Sequence, residues 1–100
     1  MILNNKPKML DTTIIENNWR SRGFSFELWE DPPGQIWKDF RHETDELFML
    51  LEGEVILTVG NKTLKPAIGE EVLIPAGVDH TVQTSSTTGS RWYYGYKIRR

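Results

Sequence analysis

The chain has 100 residues and only two histidines, His42 and His80, with Glu46 four positions after the first. Imidazole nitrogen and carboxylate oxygen are the donors that hold iron, manganese, nickel or zinc, and two histidines with one carboxylate form the ligand set of many non-haem iron oxygenases. His42 and Glu46 have the same parity, so both point to one face of a sheet if the segment between them preserves register. His80 follows Pro75-Ala76-Gly77, a turn that places it at the start of a different strand. Three donors from different strands can converge inside a common interior. The same side chains would equally serve as hydrogen-bonding groups in a metal-free cavity. Glu43 and Asp45 flank the site with opposite parity and are expected on a solvated rim.

To position these donors the chain must supply short strands, and its patterning does. Phe24, Phe26 and Leu28 alternate with Ser25 and Glu27, the period-two signature of a half-buried strand. Asp31-Pro32-Pro33-Gly34 breaks that run, because proline cannot feed a ladder and glycine permits a tight turn. Further strands are expected over residues 35–41, 47–51, 55–59, 72–74, 80–84 and 92–98. Gly60-Asn61 is the two-residue turn of a hairpin joining Val59 to Lys62. Residues 12–16 are expected as an edge strand, and residues 85–90, all serine, threonine and glycine, as a loop. No apolar residues repeat at helical spacing over a useful length. The pattern therefore predicts an all-β barrel or sandwich.

Bulk composition narrows the function further. One hundred residues make a single domain, and 38% hydrophobic with 26% charged residues is ordinary for a soluble protein. A formal net charge of −2 and scattered basic residues give no electrostatic reason for a nucleic-acid partner. The absence of cysteine removes disulfides, thiolate zinc sites and cysteine nucleophiles. The first ten residues lack an apolar h-region, and no stretch is long enough to span a bilayer, so a cytoplasmic location is expected.

Gly34, five residues, Phe40-Arg41-His42, three residues, Glu46, six residues and Gly53 resemble the first cupin motif. After fifteen residues, Gly69, five residues, Pro75-Ala76-Gly77, two residues, His80, three residues and Thr84 resemble the second. Eight of the ten defining positions match. Phe40 stands where the family usually has histidine, and Thr84 where it usually has asparagine. The resemblance implies one cupin domain over residues 1–100, with motif 1 at 34–53 and motif 2 at 69–84, folded as a jelly-roll β-barrel of short antiparallel strands.

That resemblance also implies a site. His42, Glu46 and His80 would be ligands of a divalent transition metal (iron, manganese, nickel or zinc), with Phe40, Trp37 and Thr84 lining the pocket. Phe40 either leaves a coordination position free beside a hydrophobic wall or marks a site that has lost tight metal binding. The implied function is binding of a small organic molecule, or a metal-dependent oxygenase or isomerase reaction on it, with the metal as Lewis acid or oxygen-binding centre. The alternative is a metal-free cupin that binds a small molecule or carbohydrate, or a non-catalytic cupin subunit. Of the aromatic residues Trp92, Tyr93, Tyr94 and Tyr96, one or two are expected at the pocket mouth, the others in packing. Gly95 among them suggests a bulge or a close backbone approach. The unbroken apolar run 47–51 asks for cover on both faces, and a second copy is the expected cover, giving a homodimer.

Overall fold

The alternating runs become eight antiparallel strands, with turns at the glycines and prolines between them; the computed structural model describes residues 10–98. The strands are β1 (Glu27–Asp31), β2 (Ile36–Phe40), β3 (Glu46–Gly53), β4 (Val55–Val59), β5 (Lys62–Leu64), β6 (Glu71–Ile74), β7 (His80–Thr84) and β8 (Ser90–Tyr96). They form two four-stranded sheets, ordered β1-β8-β3-β6 and β2-β7-β4-β5. This is the expected cupin β-barrel architecture, with the two sheets not closed into one ladder. The hairpin falls where Gly60-Asn61 sets it, with Val59 opposite Lys62. No helix among the described residues is long and apolar enough to cross a membrane.

The run 47–51 shows how both faces of one strand are used. Phe48 and Leu50 point between the sheets and pack with Val55, Leu57, Ile74, Val82 and Trp92. Leu47 and Met49 point outward and pack with Trp19, Phe24 and Tyr93. The outer cover is therefore supplied by the chain itself, and the apolar run does not require a second copy.

Trp19 lies on a helix, α1 (Thr12–Ser21), which corrects the expectation of an edge strand over residues 12–16. Thr12, Thr13, Ile14 and Ile15 are β-branched and favour strands in isolation. Their preference loses to local and tertiary terms. Asp11 caps the helix by accepting from Ile14 N–H at 3.2 Å, and Arg20 pairs with Glu16 one turn earlier at 2.8 Å. Ile15 and Trp19, at helical spacing, then face the outer side of the first sheet. Arg22 and the Trp19 indole both bond Glu71 on β6, tying the helix to that sheet's edge.

Gly95 meets its expected close approach. A Cβ there would overlap the Ser25 carbonyl oxygen, so only glycine lets the segment before β1 lie against β8.

Candidate metal and ligand site

Strand phase selects the side chains that meet between the sheets. On β3 the inward set begins with Glu46 and continues with Phe48 and Leu50; on β7 it is His80, Val82 and Thr84. On β8 the inward set includes Trp92 and Tyr94, while Tyr93 turns outward against Trp19 and Phe26. β2 needs a bulge to contribute. Trp37 stands opposite Val82 and Phe40 opposite His80, so three steps on β2 match two on β7. Asp39 takes up the extra residue at φ 55°, and its N–H bonds Thr81 Oγ1 at 3.0 Å. The bulge brings both Trp37 and Phe40 to the cavity.

His42 lies in the loop between β2 and β3, and the Pro75-Ala76-Gly77 turn holds that loop in place. Gly77 N–H donates to the His42 carbonyl at 2.9 Å, and Ala76 N–H to Asp45 Oδ1 at 2.8 Å. Arg41 and Asp79 add an ion pair at 2.7 Å across the same gap. Asp45, expected on a solvated rim, is thus a bracket between the two motifs.

The three expected ligands come together. His42 Nε2 and His80 Nε2 each lie 3.4 Å from the same Glu46 oxygen, and one donor atom from each residue falls within 4.8 Å of the others. Two ligands about 2.1 Å from a common ion at a tetrahedral angle sit about 3.4 Å apart, so the spacing fits a shared transition metal. Glu46 is only 5% exposed, and its Oε1 has no hydrogen-bond partner among the described residues. Burial alone pushes the Glu46 carboxyl up to about 7. Burial also lowers His42 below the usual imidazole value. His80 is lowered first by burial and then by the nearby His42, against opposing effects of the Val78 backbone and Asp79. All three groups are held in an environment that resists charge without a counter-charge. Tyr96 completes the rim, its hydroxyl 3.5 Å from His42 Nε2 and its pKa pushed up to about 12, chiefly by burial.

A cavity of about 190 Å³ opens beside these groups, walled by Trp29, Trp37, Phe40, Val82, Trp92, Tyr94 and Tyr96. The Phe40 ring is stacked 6.3 Å from His42 and tilted 6.2 Å from His80, and it is 40% exposed at the mouth. Trp37 and Phe40 line the cavity, whereas Thr84 does not. Thr84 is buried deeper in the barrel, where its hydroxyl bonds Ser90 Oγ at 2.8 Å; Ser90 Oγ in turn accepts from the Trp92 indole at 3.2 Å. Its distance from the mouth follows from strand direction, since three residues of β7 separate it from His80.

Sequence reasoning missed Trp29. Taking Phe24, Phe26 and Leu28 as the interior set assigned the opposite phase to the solvent. In the fold the earlier phase lies under the helix, and Trp29 and Asp31 face the cavity side. An indole two residues from a carboxylate on that supposedly wet face was the available signal.

Comparison with known proteins agrees with this fold. Over 61 residues the chain is 34% identical to the uncharacterized protein SCO3923 of Streptomyces coelicolor, covering 61% of this chain and 58% of that one. The solved structure of TT1209 from Thermus thermophilus superposes with a TM-score of 0.67 at 29% identity, covering 76% of this chain and 74% of that one. A salicylate 1,2-dioxygenase from Pseudaminobacter salicylatoxidans shares the fold at TM-score 0.69 and 18% identity, over 75% of this chain and 22% of that one. Residues 27–96 match the Cupin domain family, a span that contains both motifs and every residue of the cavity wall, and the chain belongs to the cupins.

Proposed function

We propose that this cupin holds a divalent transition metal between His42 Nε2, Glu46 and His80 Nε2 and takes a small organic molecule in the adjoining aromatic cavity. The unpartnered Glu46 oxygen, buried and equidistant from two imidazole nitrogens, carries this reading. A buried carboxylate without hydrogen bonds or a cation is costly. Only imidazoles come within ion-pair distance of it among the described residues, and their lowered pKa values keep them neutral at pH 7. Neutral imidazoles are the form that donates to a metal.

A metal in this set would supply Lewis acidity toward an oxygen of the bound molecule. The chain's own residues do the rest. Phe40 adds no donor and presents an apolar ring, so one side of the set is left to the ligand or to water. Tyr96, with its raised pKa, keeps its proton and offers a hydroxyl at the rim. The aromatic wall favours an apolar body on the ligand. The salicylate dioxygenase is one chemistry the fold hosts; at 18% identity its likeness to this chain is one of fold alone.

Metal analysis of protein purified without chelator tests the proposal. The expected result is about one equivalent of iron, manganese, nickel or zinc, with a melting temperature raised by mass action and lowered again by chelator. His80→Ala should remain folded and lose that metal-dependent rise. Metal-free protein whose melting temperature ignores all four ions would decide for a hydrogen-bonding cavity that needs no metal.

A further inference from the structure

Asp31 is a second buried carboxylate, and the metal site does not use it. It ends β1 at 6% exposure, and no lysine, arginine or histidine lies within ion-pair distance of it among the described residues. Its two oxygens instead accept two indole N–H groups: Trp29 Nε1 donates to Oδ1 at 2.7 Å and Trp37 Nε1 to Oδ2 at 2.9 Å. Hydrogen bonds to an ionised acceptor are short and about twice as strong as neutral ones. An indole can only donate, so a planar carboxylate with one donor on each oxygen fixes both rings at once.

The clamp spans a gap. β1 and β2 are edge strands of different sheets, and no backbone ladder joins them among the described residues. Trp29 and Trp37 meet across that seam at 5.9 Å with their planes 72° apart. Trp29 also stands edge-on to Tyr94 at 6.4 Å, and Trp37 leans on Phe40 at 5.9 Å. Trp29 is 39% exposed, so a large apolar ring is held rigidly at the mouth without being buried by the fold. Rigid, partly open aromatic surface is what a ligand needs if it is not to spend binding energy on ordering side chains.

We propose that Asp31 is a positioning residue that holds Trp29 and Trp37 as two walls of a slot for a flat aromatic ring, whose polar substituent points toward His42, Glu46 and His80. Aromatic rings prefer offset-stacked or edge-to-face neighbours, and walls near a right angle offer one of each. A cavity of about 190 Å³ suits a single ring, on the scale of the roughly 150 Å³ cavity that admits benzene. An organic cation is disfavoured, because the metal would occupy the acidic end of the same cavity. This inference rests on the proposed use of the cavity for a small organic ligand.

Benzoate and cyclohexanecarboxylate test it, because they carry the same carboxylate on a flat and a puckered ring. Calorimetric titration of the metal-loaded full chain should show benzoate binding about five- to ten-fold more tightly, the scale of one or two aromatic contacts. Asp31→Asn keeps one acceptor oxygen and turns an amide N–H₂ toward the other indole. It should erase the preference and change the near-ultraviolet circular dichroism of the tryptophans while metal content stays as in the wild type. If Asp31→Asn does not fold, Trp37→Phe keeps a ring, deletes the N–H and should erase the preference in its place. Equal binding of the two acids by the wild type, or a preference undiminished in these variants, overturns the inference. Metal retained with no preference overturns the slot and leaves the metal site standing. Preference retained in protein that binds no metal overturns the metal site and supports the slot.

Discussion

Burial sets Glu46 and its two histidines against each other as the pH changes. The Glu46 pKa rises from 4.5 to about 7 on folding, so its favourable contribution is complete below about 4.5 and is lost as the pH climbs through 7. The loss amounts to about 3 kcal/mol, at roughly 1.4 kcal/mol for each unit of pKa. His42 and His80 are shifted below 6.5, so their contribution is present above that value and is lost as the pH falls through their folded pKa values. A metal needs Glu46 deprotonated, and its affinity should therefore fall as the pH drops below about 7. The stabilisation removed by chelator should accordingly grow between about pH 5.5 and pH 8, as read by thermal melts with and without chelator. A chelator effect that stays constant over that range would contradict the assignment of Glu46 as a ligand. The three donors were legible in the sequence because motif spacing fixes their places. Trp29 and Asp31 were not, because alternation identifies two faces without saying which one meets the other sheet.

At the scale of single elements, β2 and α1 show where local pattern misleads. Asp39 occupies the left-handed region, which aspartate tolerates and β-branched residues resist. Asp39→Gly should leave stability near that of the wild type, while Asp39→Val should cost about 1–3 kcal/mol. Urea midpoints measure both; equal midpoints for the two variants would show that the bulge does not depend on this residue. The strand runs 55–59 and 80–84 were readable to the residue, since alternation and the bounding turns agree. The helix was not, because its buried face amounts to Ile15 and Trp19, and two residues do not establish a period. Its existence depends on the Asp11 cap and on a sheet surface that only the folded chain supplies.

For the whole molecule, the arrangement is two apolar clusters on opposite sides of one sheet, with Trp19 as the largest side chain of the outer cluster. Trp19→Ala should cost about 3–5 kcal/mol through the cavity it leaves. It should also uncover Leu47 and Met49, and light scattering across a dilution series should detect concentration-dependent association of the variant beyond that of the wild type. A variant that loses stability without any added association would show that the helix still covers the sheet. The barrel was legible in the sequence, because its strands and turns are written locally. The source of the outer cover was not, since composition cannot tell a neighbouring helix from a neighbouring molecule.

The bulge in β2 makes chain length part of the site's specification. With every residue kept and the strand drawn straight, Asp39 would face the cavity and Phe40 the solvent. Delete Asp39 and regular alternation would again turn Trp37 and Phe40 the same way. The five residues between Gly34 and Phe40 therefore encode a frame as well as a distance. A change of count that the bulge does not absorb would turn Phe40 away from the side that Trp37 faces, whereas a change of identity leaves both positions in phase.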